Sequence, residues 1–458
     1  MKSKIFFIMG VSLFLTVNIC HAISSENRSI PKNKQLGNDT IINALEHKIP
    51  VWMEEYKVPC VGVGIIENGK LKYVKVFGNL QKNTPAPVNT IFNIASMTKP
   101  VVTMVVLKLV EMGQWNLDEP LYKYWVDPDV LNDTMHKKLT TRHILSHQSG
   151  FSNWRTDKLK FEFEPGTKFQ YSGEGFEYLR RALENKFNKS LGELSGSVLF
   201  KPLGMNDTRY LWDEDIKKTR FAFGHDSQGK KYETSDYGSI NAAGSLLTTI
   251  EDYSKFLIYV MNGAGLSANL YNDMIQPQIT AKEHIARGLG WELVLDLPNG
   301  EYALEHGGGN PGIKTMGILL PKSKRGILIF TNGDNGTFIC DNIIKESIDI
   351  GQTIIDFTNS AYHAPIIKLS NEILDRYVGT YSRSDVNRFN FIVARAGNEL
   401  TITGDAVPLF TLLPESETKF FVKGLGYQYE FIKDEISKIM KLNIYENGKL
   451  LLDANKLK

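Results

Sequence analysis

Between residues 101 and 110 the chain carries an almost unbroken apolar run, interrupted only by Thr103 and Lys108. That pattern predicts a helix buried on most of its circumference. Upstream, residues 38–58 place Ile41, Ile42, Leu45, Ile49, Trp52 and Met53 at helical spacing. Two β-branched runs follow, 61–66 and 71–77, joined by Glu67-Asn68-Gly69-Lys70. Asn-Gly between such runs predicts a tight hairpin. Short or amphipathic helices are expected at 140–145 and 176–187, and a tight bend at 242–248 leads into a capped helix through Tyr259. Strands are expected at 288–293, 316–320 and 326–331, and one apolar-periodic helix over 341–357. A helix and hairpin at one end, and strands followed by a helix at the other, predict an α+β domain.

After about residue 360 the pattern changes. Short alternating runs occupy 378–381, 389–394, 399–403, 409–413, 419–422, 428–432, 439–445 and 450–451, separated by turns such as Ala396-Gly397-Asn398 and Asn447-Gly448. Strands this short and regular predict a small barrel or sandwich. Neither half repeats internally, and the tail carries no catalytic set.

Composition adds exclusions. A chain of 458 residues with 42% apolar and 23% charged residues is ordinary globular material, and a net charge of +2 gives nucleic-acid binding no support. Lys2 and Lys4 precede an apolar stretch at 5–15, and Cys20-His21-Ala22 offers a cleavage site, so residues 1–22 are expected to be a signal peptide. Lipidation of Cys20 is the alternative, with Ile19 a poor fit to that signal. The expected location is periplasmic or secreted. Cys60 and Cys340 would remain, as buried free thiols or as one disulfide; their separation does not choose.

The chemistry begins at Ser96-Met97-Thr98-Lys99-Pro100, at the head of the 101–110 helix. Residues three apart share a helix face, so a hydroxyl stands beside an amine among apolar neighbours. Desolvation lowers a lysine's pKa, so Lys99 could take the Ser96 proton, and the helix N-terminus favours a developing oxyanion. Ser-x-x-Lys alone occurs by chance in many helices. His143 and His147 stand at i, i+4, but no third ligand accompanies them, and a structural role is expected. Tyr171 ends a turn-rich loop over 165–175, where a tyrosine is more often simply a packed ring.

Several phrases taken in order resemble the serine β-lactamase and penicillin-binding-protein superfamily, in its class C-like peptidase and esterase branch. Ser96-x-x-Lys99, Tyr171-Ser172-Gly173 and His306-Gly307-Gly308 resemble its three motifs. Leu145-Ser146-His147-Gln148-Ser149-Gly150, the 243–252 segment and Gly288-Leu289-Gly290-Trp291 resemble the surrounding phrases. The resemblance covers residues 40–355. It implies Ser96 as nucleophile, Lys99 tuning proton movement, and Tyr171 as partner base or as the acid for the leaving group. It also implies His306, Gly307 and Gly308 on the substrate edge, and the backbone N–H groups of Ser96 and Gly309 as the oxyanion hole. It implies a five-stranded antiparallel sheet flanked by helices plus a mostly helical subdomain over 23–360, and a lipocalin-like β-barrel over 365–458.

Two departures matter. Gly173 replaces an asparagine that reaches the acyl side chain in β-lactamases, and His306-Gly307 replaces a lysine and a hydroxyl that grip the substrate carboxylate. The expected protein is therefore an exported serine hydrolase that forms an acyl-enzyme on esters or amides, of D-aminoacyl peptidase or esterase type. A true β-lactamase or D-Ala-D-Ala carboxypeptidase, and a non-catalytic binding protein, stay open. The expected partner is a small-molecule or peptide substrate, with cell-wall-derived peptides among the candidates. No cofactor, metal or nucleic acid is implied, and the oligomeric state is left open.

Overall fold

The computed structural model describes residues 39–457 apart from 82–83, 212–218, 234–237, 359–365, 384–389, 405–406, 423–426, 435–437 and 447–448. The expected signal peptide, the domain border expected near 360–365 and the Asn447-Gly448 turn lie outside the described residues. Helix α1 (Asp39–Glu55) leads into β1 (Cys60–Glu67) and β2 (Lys70–Gln81). Asn68 and Gly69 bridge these strands at φ 52° and 71°, the left-handed pair that a two-residue hairpin needs. Short β3 (Thr84–Pro85) follows, then β4 (Phe92–Asn93), which pairs with β5 (Leu247–Thr248). The later strands are β6 (Ile279–Lys282), β7 (Ile285–Arg287), β8 (Glu292–Leu297), β9 (Glu301–Asn310), β10 (Ile313–Leu320) and β11 (Arg325–Thr331).

The sheet runs β3-β2-β1-β11-β10-β9-β8-β7-β6, with every pairing antiparallel. It is wider than the five strands expected. The five long strands, β2 to β9 in that order, form its body, and short β3, β8, β7 and β6 extend the edges. Gly288–Trp291, expected as strand, is instead the bend between β7 and β8. Gly290 adopts φ 75° there, and its Cα stands so close to Thr103 that a Cβ would lie 2.1 Å from Oγ1. The expected single helix over 341–357 is two, Gly336–Ser347 and Gly351–Thr358, because Ile348 turns extended at φ −112°, ψ 124°.

Both sheet faces are buried. Val61, Val63 and Ile65 of β1 join Ile327 and Ile329 of β11 in a core with α1 and the two helices after β11. Leu328 and Phe330 face the other way, toward α2 (Thr98–Glu111) and the helix Ile250–Met261. On that side Gly62 and Gly64 let the helix seat closely: a Cβ on Gly62 would lie 2.7 Å from Ile250 Cγ1. Along α2 every residue from Thr98 to Leu109 except Lys108 is buried, each large apolar side chain contributing ~1.5–3 kcal/mol relative to exposure. Cys60 and Cys340 are buried free thiols in the two different cores, so the disulfide alternative fails.

The tail forms a closed barrel of eight strands: β12 (Gly379–Ser382), β13 (Asn390–Ala396), β14 (Glu399–Gly404), β15 (Val407–Pro414), β16 (Lys419–Phe421), β17 (Tyr427–Lys433), β18 (Ile439–Glu446) and β19 (Lys449–Lys456). Its interior is aromatic, with Phe431 stacked on Tyr377 at 4.5 Å between ring centres.

Candidate active site

Ser96 sits in a 3₁₀ turn, Ala95–Met97, immediately before α2 rather than in the first turn of the α-helix. Ala95 is held at φ 47°, a left-handed conformation costly for a residue with a Cβ. Four hydrogen bonds oblige it. Asn93 Oδ1 accepts from the Ala95 N–H at 3.0 Å, and Thr98 Oγ1 donates to the Ala95 carbonyl at 2.6 Å. Thr315 Oγ1 donates to the Ile94 carbonyl at 3.0 Å, and the Tyr253 hydroxyl to the Met97 carbonyl at 2.9 Å. The turn is clamped from β4, α2, β10 and the 250–261 helix.

Lys99, one turn on, is 1% exposed. Its Nζ donates to Ser96 Oγ at 3.1 Å and to the Ala243 carbonyl at 2.9 Å. Among the described residues no carboxylate pairs with it. Aromatic faces surround it instead, with the Tyr171 and Phe176 ring centres 4.7 and 5.7 Å away. Burial therefore pushes its pKa down to about 7.

Tyr171 lies just ahead of α3 (Gly173–Phe187), whose N-cap is Ser172. Its phenol is pushed up to about 12 by burial, against a hydrogen bond with the Ser96 side chain. The loop is anchored by His147, itself at φ 56°. His147 Nδ1 accepts from the Ser172 N–H at 3.1 Å, its carbonyl accepts from the Gln170 N–H at 2.8 Å, and its ring lies 4.3 Å from that of Tyr171. Burial first, then Arg287, Lys99 and His306, hold this imidazole neutral, well below its ordinary range. His147 is thus a structural support of the tyrosine loop. His143 packs against Gly166, and among the described residues no group of three or more His, Cys, Asp or Glu is placed to hold a metal.

The third wall is β9. Beyond Glu305 this strand has no β8 partner, so residues 306–310 run as a free edge along a cavity of about 320 Å³ lined by Ser96, Tyr171 and His306 to Gly309. Gly308 presses on the nucleophile turn: a Cβ there would lie 2.4 Å from the Ile94 carbonyl and 3.2 Å from the Ser96 nitrogen. His306 Nδ1 is 2.7 Å from the Gly307 carbonyl, which assigns the ring proton to Nδ1. Burial, with Lys99 nearby, pushes its pKa down to about 3, so it is a neutral imidazole at the cleft.

Ser96, Lys99 and Tyr171 therefore meet, and His306 to Gly309 stand opposite. A family model described as Beta-lactamase matches residues 45–342. The chain belongs to the beta-lactamase family. Members of that family are serine hydrolases. This beta-lactamase family protein is 24% identical over 424 residues to Penicillin-binding protein 4* of Bacillus subtilis (strain 168), covering 83% of this chain and 92% of that one. It is 23% identical over 327 residues to Protein flp of Staphylococcus aureus (strain NCTC 8325 / PS 47), covering 64% of this chain and 62% of that one. Among solved structures, the octameric penicillin-binding protein homologue from Pyrococcus abyssi superposes with a TM-score of 0.60 at 22% identity, covering 91% of this chain and 100% of that one.

Sequence reasoning missed the support of the site. Asn93, Thr98 and Thr315 were legible only as polar residues in apolar surroundings. Arg287, Glu292 and Glu305, which share the cavity with Ser96, gave no signal.

Proposed function

We propose that this family member is an exported serine hydrolase that forms an acyl-enzyme through Ser96 and hydrolyses ester or amide bonds, of the D-aminoacyl peptidase or esterase type. One observation carries the reading: a buried amine with a pKa near 7 lies 3.1 Å from the Ser96 hydroxyl. Neutral Lys99 takes the proton as Oγ attacks the substrate carbonyl. The oxyanion is received by the N–H groups of Ser96 and Gly309, in the 3₁₀ turn before α2 and on the free edge of β9. Tyr171 keeps its proton at neutral pH, so it serves as the acid that protonates the leaving group rather than as a base. Lys99 then passes its proton to Tyr171, which resets both groups, and water repeats the sequence on the acyl-enzyme with the Ser96 oxygen as the leaving group.

The names of the Bacillus subtilis relative and of the Pyrococcus abyssi structure speak of penicillin binding, which supports a cleft suited to an amide carbonyl. Efficient β-lactam turnover is not supported. His306 is neutral and Gly307 offers no hydroxyl for a carboxylate. A Cβ on Gly173 would lie 2.6 Å from the Trp154 indole, so no amide side chain fits there. Export is supported by Lys2, Lys4 and the apolar stretch after them. Rapid mixing with p-nitrophenyl acetate tests the proposal: a burst of one nitrophenolate per chain is expected, and it disappears in Ser96→Ala. A burst that survives that substitution refutes it.

A further inference from the structure

The Ser96 cavity continues to three charged side chains that the acyl transfer does not use, Arg287, Glu292 and Glu305. They lie in register across three strands: Arg287 is opposite Glu292, and Glu292 is opposite Glu305. Arg287 is ion-paired with Glu292, and its guanidinium covers the Phe169 ring at 4.8 Å. Glu305 is only 6% exposed, and its Oε2 has no hydrogen-bond partner among the described residues. Two carboxylates thus face one guanidinium, which is ion-paired with Glu292 and whose Nε has no hydrogen-bond partner among the described residues. Asp341 and Lys282 are the other charges acting on Glu305. Burial first, then Glu292, keep this carboxyl protonated, well above the usual carboxylate range.

Ionised, this buried carboxylate would be costly, because three carboxylates (Glu305, Glu292, Asp341) would face two cations (Arg287, Lys282) and its Oε2 would lack a donor. A primary ammonium supplies the third cation and the donor on a group small enough for the cavity. We propose that this end of the cavity binds a primary ammonium of the substrate, with Glu305 as the receiving anion, so that the preferred esters and amides bear an amine. As the ammonium enters, Glu305 releases its proton to solvent and charge balances within the site. Identifying the ligand as a substrate rests on the acyl-transfer reading; the binding site does not.

The experiment uses benzylammonium, benzyl alcohol and benzoate at pH 7, read two ways. One is inhibition of p-nitrophenyl acetate hydrolysis, and the other is saturation-transfer NMR, which needs no turnover. Benzylammonium is expected to bind at least ~10-fold more tightly than the alcohol, the scale of one charge-assisted hydrogen bond. The ratio should fall to within about twofold in Glu305→Gln. Equal binding of amine and alcohol in the wild type overturns the proposal, as does tightest binding of benzoate or a ratio unchanged in the variant. The wild-type comparison decides even if the variant folds poorly. Amine-selective NMR binding without a burst removes the proposed function and leaves this site standing. A burst without amine preference does the reverse.

Discussion

Lys99 is the side chain whose removal separates activity from stability. Its pKa falls from 10.5 to about 7 because burial strips water from the ammonium. If neutral Lys99 is the base, about 9% is competent at pH 6, half at pH 7 and about 91% at pH 8. Acylation of p-nitrophenyl acetate should therefore rise about tenfold from pH 6 to pH 8 and then level off. An ordinary lysine would instead give a further tenfold for each pH step beyond 8. The same lowering weakens the fold. Between about pH 7 and 10.5 the unfolded chain holds the proton that the folded chain has lost, so stability rises with pH through that window. Below about 7 the penalty is full, and at pH 7 it is about 4 kcal/mol. Lys99→Met removes this penalty but leaves the Ala243 carbonyl without its donor, which costs ~1–3 kcal/mol. The net expectation is ~1–3 kcal/mol greater stability in urea at pH 7, with acylation reduced at least ~10³-fold. A flat pH profile between 6 and 8, or a variant that is both inactive and less stable, would refute the assignment of Lys99 as a desolvated base.

Other outcomes follow from the same geometry. Tyr171→Phe should lower turnover ~10²–10⁴-fold for an amide, whose leaving group needs a proton; an activated ester should suffer much less, and equal losses for both would contradict an acid role. Gly308→Ala forces a Cβ to 2.4 Å from the Ile94 carbonyl, so acylation should fall ~10²-fold or more as the nucleophile turn shifts, measured by burst kinetics. In the barrel, Phe431→Ala should cost ~3–5 kcal/mol in calorimetric or urea unfolding, since the ring is 1% exposed and stacked on Tyr377. Cys60 and Cys340 should react with a thiol reagent only after denaturation, and reductant should leave stability unchanged, since both are buried and unpaired.

The tail was legible strand by strand because its turns interrupt an alternating pattern, and each run recurs in the barrel within a few residues. The hairpin at Asn68-Gly69 was legible for the same local reason. Where burial rather than periodicity decides, the pattern misled. Residues 341–357 keep helical spacing across a break that only Ile348 reveals in three dimensions. Gly288–Trp291 looks extended but bends because Gly290 must pass close to Thr103. Ser96 and Lys99 stand out by their spacing and Tyr171 only through the family resemblance; the left-handed Ala95 and the His147 clamp on the tyrosine loop were not legible, because Thr315, Tyr253 and Ser172, which help to fix them, are distant in the chain. The trio of Arg287, Glu292 and Glu305 depends on strand register, which composition does not encode.

The position of β1 in the sheet has a consequence for biosynthesis. Val61 pairs with Thr331, so the first strand made waits for the last before the centre of the sheet can close. Contacts this remote in the chain fold slowly. A newly made polypeptide of this topology stays open on the ribosome until the segment through β11 has emerged. Under the export proposed above, that delay is an advantage, and shortening it by circular permutation between β1 and β11 should trap precursor inside the cell.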